Sequence, residues 1–294
     1  MGLVRILQRL KILPTPGCIP VVRLHGILAP GSSPLRSGLS LQRVAPGLKR
    51  AFTMPGAEAV ALSINSPGGS AVQSSLIARR IRQLSREKNL PVIAFVEDVA
   101  ASGGYWLATA ADEVFVDASS IVGSIGVVSA GFGFPELLKK IGVERRVYTA
   151  GANKAMLDAF QPEKPDEVAH LKRLQGEIHQ RFIAWVKERR GLKLKGPEGE
   201  LFSGAFWTGE TAVKLGLVDG LGELRQVLLE RFGAKVRLVP VERPKGLLSR
   251  LTGGRSRRPA PGFEGFGAES LGSGLAGGAL AAVEERLLWQ RFGL

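Results

Sequence analysis

Ala100-Ala101-Ser102-Gly103-Gly104-Tyr105-Trp106 joins a strand-like run, Val92 to Val96, to a helix-like run, Tyr105 to Ala110. This sets one serine at a sharp, glycine-walled strand-to-helix turn. At a helix N-terminus the unpaired backbone N–H groups and the helix dipole favour negative charge. An acyl-transfer enzyme needs such a place for an oxyanion beside its nucleophile. Upstream, Asn65-Ser66-Pro67-Gly68-Gly69-Ser70 makes a second glycine-rich turn between another strand and another helix. Glycine permits φ > 0 and a close backbone approach, so this turn can aim a further N–H at the same point. Most glycine pairs only mark tight connections. Two such turns, with Lys154 downstream in Ala150-Gly151-Ala152-Asn153-Lys154, favour catalysis.

Outward from that stretch, short β-branched runs alternate with helical patterns. Strands are expected at Ile19 to Leu24, Val60 to Ile64, Val92 to Val96, Glu113 to Val116 and Val143 to Tyr148. Helices are expected at Leu39 to Phe52, Ala71 to Arg86, Gly103 to Ala110 and Pro135 to Ile141. A long helix is expected from Pro165 to Arg190, with Val168, Leu171, Leu174, Ile178, Phe182 and Val186 at spacings of three and four. A strand–helix finish runs through Leu238. This alternation predicts an α/β fold with a mostly parallel sheet and crossover helices.

The 294 residues are 45% apolar, enough for a full core without a metal or disulfide staple. Cys18 is the one cysteine, which rules out an intrachain disulfide. It and three scattered histidines cannot build a closed zinc site, and no phosphate-loop signature occurs, so no metal or cofactor is expected. A net charge of +14 attracts nucleic acid, anionic lipid and acidic substrates alike. With aromatics at 6% and no binding motif, nucleic acid is not an expected partner. No run approaches the ~20 apolar residues of a membrane span. The N-terminal stretch, broken by Arg5, Gln8, Arg9 and Lys11, is no signal peptide, which sets a cytoplasmic expectation. Leu3, Ile6, Leu7, Leu10 and Leu13 form a helical stripe with two readings open. It lies peripherally on anionic membrane, or it packs on its own domain or a neighbouring subunit.

The runs Asn-Ser-Pro-Gly-Gly (65 to 69), Ala-Ala-Ser-Gly-Gly-Tyr (100 to 105) and Gly-Ser-Ile-Gly-Val (123 to 127) occur in that order. Lys154 and Gly-Leu-Val-Asp-Gly-Leu-Gly (216 to 222) follow them. Over residues 18 to 240 the chain thereby resembles the signal peptide peptidase A family, in its short single-unit form. These are bacterial serine–lysine peptidases. The resemblance implies a caseinolytic-protease/crotonase-like fold, a superhelix of repeated ββα units. It implies Ser102 as nucleophile, Lys154 as general base and Ser124 as the serine that orients the lysine. It implies the Gly69 and Gly103 N–H groups as oxyanion hole. Hydrophobic peptides, such as signal-peptide remnants, are the implied substrates. A ring-like homo-oligomer is also implied, with Ser and Lys of one site drawn from neighbouring protomers. The family's usual N-terminal membrane anchor has no counterpart in this sequence.

The neighbours of Lys154 (Asn153, Ala155, Met156 and Leu157) make an apolar setting that suits a desolvated, neutral lysine. His25, His170 and His179 compete as bases, but nothing in their spacing builds a Ser–His–Asp triad. Asp98, four residues before Ser102, shapes the turn into the nucleophile. The expected organisation is a basic amphipathic segment (1–17), a peptidase domain (18–240), a basic then Gly/Pro/Ser-rich linker (241–279) and an amphipathic helix (280–294). Two rival functions stand beside the peptidase: a crotonase-type acyl-CoA enzyme, and a non-catalytic oligomeric scaffold or membrane-associated interaction protein.

Overall fold

The computed structural model describes residues 17–30, 38–241 and 286–294. The expected basic segment before residue 17, the linker beyond 241 and the first part of the 280–294 helix lie outside the described residues.

In chain order the elements are β1 (Cys18–His25), α1 (Leu41–Phe52), β2 (Val60–Ser66), α2 (Ala71–Lys88), β3 (Val92–Ala101) and α3 (Gly103–Ala108). Then come β4 (Glu113–Val116), β5 (Ile121–Gly123), α4 (Pro135–Lys140), α5 (Pro165–Arg190) and α6 (Glu198–Leu201). The finish is β6 (Phe206–Thr208), α7 (Gly209–Lys214), β7 (Gly220–Leu221), α8 (Leu224–Phe232) and β8 (Arg237–Pro240). The strands form one sheet in the order β6-β5-β3-β2-β1-β8, with β4 on β3 and β7 on β4. Every pairing is parallel except β5 with β6. The α/β fold with a mostly parallel sheet is therefore as the alternation requires.

Parallel strands covered on both faces read as continuous apolar runs, and these do. Val22, Leu24, Leu62, Ile64, Ala94 and Val96 face the larger core, under α1, α2, α3 and part of α5. Ile19, Val21, Ala61, Ile93 and Phe95 face the smaller core around Leu228 of α8. Ser70 caps α2 by accepting from the Gln73 N–H at 3.3 Å. Asn89 ends that helix in the left-handed region at φ 50°.

One irregularity positions the site. β3 pairs with β4 through Ile93 to Val96, then switches to β5 through Val99 to Ala101. On β2 the register jumps from Ile64↔Val96 to Ser66↔Ala100. The extra residues bulge outward, leaving Glu97 and Asp98 exposed. Asp98 accepts from the Asn65 side-chain amide at 2.5 Å, and the Asn65 carbonyl oxygen accepts from the Val99 N–H at 3.3 Å. Asp98 thus ties β3 to the end of β2 ahead of Ser102.

One expectation fails. Val143 to Tyr148 forms no strand: all six residues are exposed, on a projecting segment with no strand to pair with. β-branched residues raise strand propensity only where a partner and a covered face exist. In α5 only the second half keeps its apolar stripe buried. Phe182 and Val186 are enclosed, while Leu174 and Ile178 are 44% and 40% exposed.

Candidate active site

Ser102 ends β3 and starts α3 at φ 51° and ψ −120°. A serine pays strain in that region, which persists only where the surroundings over-determine it. Here the constraints are visible. The Ser102 N–H donates to the Gly123 carbonyl at 2.8 Å, and the Ser102 carbonyl accepts from the Trp106 N–H at 3.0 Å. Behind it, a Cβ on Gly104 would stand 2.3 Å from the Ser66 carbonyl oxygen, so only glycine lets α3 lie this close to β2. Trp106 stacks on Phe182 at 4.6 Å between ring centroids, fastening α3 to α5.

The second turn comes over the first. Gly68 lies against Ser102, and Gly69 sits at φ 128°. The Leu28 N–H donates to the Gly68 carbonyl at 2.8 Å, and the Leu28 carbonyl accepts from Ser70 at 2.7 Å, clamping the turn from both sides. Among the described residues, neither the Gly69 nor the Gly103 N–H makes a backbone hydrogen bond. Both glycines line a groove of about 340 Å³ with Ser102. Its walls are largely apolar: Trp106, Val127, Val128, Ile178 and Phe182. These wall residues were not picked out as site residues from sequence, although Trp106 adjoins the serine turn and Phe182 lies on the helical stripe.

Ser124 follows β5 at φ 52° and is 4% exposed. Its N–H donates to the Ala205 carbonyl at 2.6 Å. Ser102 and Ser124 line one cavity of about 270 Å³, beside His179 and Gly204. Among the described residues, no hydrogen bond involves the hydroxyl of Ser102 or of Ser124. The site therefore has two serines facing one space and no base between them.

Lys154 is elsewhere. It lies on the projecting segment between β5 and α5, is exposed, and lines neither the Ser102 groove nor the Ser102–Ser124 cavity. The apolar surroundings expected from its sequence neighbours do not desolvate it in this structure. The projecting segment has fixed internal ties. Arg145 Nε donates to Asp158 at 2.8 Å, and the Arg145 guanidinium lies 4.9 Å over the Phe160 ring. Glu167 accepts from the Leu157 N–H at 2.7 Å and from Lys164 at 3.1 Å, and these bonds hold its carboxyl below the usual range. Among the described residues, the segment carries exposed apolar groups, including Phe132 at 80% and Tyr148 at 90% exposure.

The histidines are occupied as structural groups. His25 Nε2 lies 2.7 Å from Ser63 Oγ, which donates to Glu97 at 2.6 Å. Ser63 shares the sheet face of the smaller core. His170 Nδ1 lies 3.1 Å from Arg173 Nη2. His179 reaches the Ser102–Ser124 cavity, but its Nε2 bonds the Ile125 carbonyl at 3.0 Å. A carbonyl accepts only, so that nitrogen carries the proton and cannot remove one from Ser102. Among the described residues, no cluster of three His, Cys, Asp or Glu side chains could hold a metal ion.

The last motif, Gly216 to Gly222, supports the frame. Asp219 accepts from the Val114 N–H at 2.8 Å, from Arg190 at 2.6 Å and from Lys193 at 2.7 Å. Arg190 is 4% exposed and also donates to the Gly216 carbonyl. Burial works against the Asp219 carboxylate, yet the bonds from Arg190 and Lys193 hold its carboxyl below the ordinary value. Tyr105, fully buried beside Ser102, donates its hydroxyl to the Leu217 carbonyl at 2.7 Å.

Residues 84–235 match the family described as Peptidase family S49. A Na(+)/H(+) antiporter NhaA of Brucella abortus (strain 2308) is 55% identical over 278 residues, 94% of this chain and 37% of that protein. A putative protease of Synechocystis sp. is 35% identical over 205 residues, 68% of this chain and 73% of that protein. A putative signal peptide peptidase of Enterococcus faecium is 30% identical over 202 residues, 68% of this chain and 58% of that protein. The chain thus spans little more than a third of the Brucella relative.

Proposed function

The chain belongs to peptidase family S49, and on that premise we propose that it is a serine endopeptidase acting through an acyl-enzyme on Ser102. One observation carries this reading: a strained serine whose hydroxyl, like the N–H groups of the two glycines beside it, has no hydrogen-bond partner among the described residues, at the head of an apolar groove. A peptide lies in the groove with its carbonyl oxygen toward the Gly69 and Gly103 N–H groups. Ser102 Oγ attacks the carbonyl carbon, and the two donors stabilise the charge that forms on oxygen. The base takes the Ser102 proton and returns it to the leaving amine, and water then releases the acyl group.

Lys154 is that base, supplied by a neighbouring protomer. Its exposure on a projecting apolar segment, with the space between Ser102 and Ser124 lacking a base, supports a site completed in trans. Seated there, the amine leaves water, which favours its neutral form, and Ser124 Oγ holds it toward Ser102. The apolar wall of Trp106, Val127, Val128 and Phe182 supports hydrophobic peptides as substrates. Signal-peptide remnants fit that chemistry. The crotonase-type and scaffold readings are set aside on the family assignment and the paired serines.

Hydrolysis of a fluorogenic apolar peptide by the purified chain, beside Ser102→Ala, tests the proposal. Turnover that vanishes in the variant is expected. Equal rates in the two proteins would overturn the assignment of Ser102.

A further inference from the structure

The groove at Ser102 is not walled by the domain alone. Leu288, Arg291 and Phe292, from the described segment 286–294, complete its lining. A helical turn spans 286–290, which places Leu288 and Phe292, four residues apart, on one face. Both are half-buried, as is Trp289. Phe292 meets Phe206 of β6 edge-on at 5.1 Å between centroids. Arg291 lines the second cavity too, the one shared by Ser102 and Ser124. From Val241 to this segment the chain runs 44 residues. Fully extended, that length reaches about 145 Å, far beyond the width of one domain.

We infer that segment 286–294 is an internal occupant of the Ser102 groove, a tethered plug that must leave before peptide and base can enter. The inference rests on the peptidase reading above. Leu288 and Phe292 wall the groove that a substrate's apolar side chains would enter. Arg291 lines the cavity shared by the two serines, where the partner's lysine amine is to sit. A guanidinium stays protonated, so it cannot act as the base itself. Two cations in one small cavity repel, so docking of the segment and seating of the lysine exclude one another. Assembly of protomers and release of the plug then become one event, and an unassembled chain is held inactive.

The docking is shallow, as a displaceable plug requires. Leu287 and Leu294 remain 57% and 48% exposed. A tether supplies an effective concentration of order 1 mM. If the free segment binds an open groove at about 0.1 mM, the tethered one occupies it roughly tenfold in excess of the open state.

The test uses the full chain carrying Leu288→Asp and Phe292→Asp together, two groups on a surface segment, with a thermal melt to confirm the native fold. A fluorescent nonapeptide of sequence 286–294 is titrated against this variant and the native chain, read by anisotropy. About tenfold tighter binding to the variant is expected, because its own segment no longer competes. Equal affinity for both, or no binding to the variant up to millimolar peptide, would overturn the inference. Turnover is a separate reading: kcat/KM for a short apolar peptide should rise about tenfold in the variant. An unchanged rate in an active protein would also overturn it. Tighter peptide binding without turnover in either protein would refute the peptidase reading and leave the plug intact. Arg291→Ala alone, with both apolar anchors kept, should raise kcat/KM severalfold; no change would remove lysine exclusion from the account.

Discussion

Gly69→Ala is the substitution whose outcome the geometry fixes most closely. At φ 128° an alanine is strained, at a cost of order 1–3 kcal/mol. Its Cβ would also lie 2.2 Å from the Leu28 carbonyl oxygen and 3.0 Å from the Leu28 carbon and nitrogen. Backbone must give way, because Leu28 is held by hydrogen bonds on both sides of the turn. Relief requires a shift of about 1 Å, enough to swing the Gly69 N–H off the proposed oxyanion position. Misplacement on that scale costs about 10²-fold in rate, and outright loss of one oxyanion donor costs ~10²–10³. The assay is kcat on an apolar fluorogenic peptide, with a thermal melt of the same preparation. The melting temperature should fall by about 2–12 °C, on ~2–4 °C per kcal/mol. At 25 °C the protein should stay folded while kcat drops at least 100-fold. A lowered melt with kcat within threefold of native would refute the role of Gly69 in the oxyanion hole.

Other outcomes follow from the same structure. Asp219→Asn leaves the buried Arg190 guanidinium without its charge partner and should cost about 3 kcal/mol, lowering the melt by roughly 6–12 °C; a shift under 2 °C would contradict the bracing role. Asp219 has a folded-state pKa below its unfolded value, so its contribution is present above the usual carboxylate range. It should be lost as pH falls below about 4, seen as a native melt that declines with acid more steeply than that of Asp219→Asn. Glu167 likewise has a lowered pKa, so the base of the projecting segment should open to limited proteolysis only on acidification below that range. Mixing Ser102→Ala with Lys154→Ala subunits under exchange should restore up to about a quarter of native activity in random dimeric contacts; none at all would contradict a shared site.

The core and the serine turn were legible in sequence because local pattern and tertiary context agree there. The strands around Val60 to Ile64 and Val92 to Val96 are apolar on both faces, as a doubly covered parallel sheet demands. Gly68, Gly69 and Gly104 mark positions where a Cβ has no room or φ is positive. What was not legible depends on partners. Val143 to Tyr148 has strand composition but no strand beside it, and Leu174 and Ile178 continue an apolar stripe beyond the surface that covers it. Lys154 has apolar neighbours in sequence but water around it within one protomer. The approach of Leu288, Arg291 and Phe292 to Ser102 was equally hidden, because 44 intervening residues carry no directional signal.

Covalent capture of the nucleophile tests the central claim most directly. The full chain is treated with a fluorophosphonate, weighed intact, and mapped by peptide mass spectrometry. One adduct per chain on Ser102, absent in Ser102→Ala and strongly slowed in Lys154→Ala, is the predicted result. An active protein modified at another serine, or labelled at Ser102 at the native rate without Lys154, would contradict it.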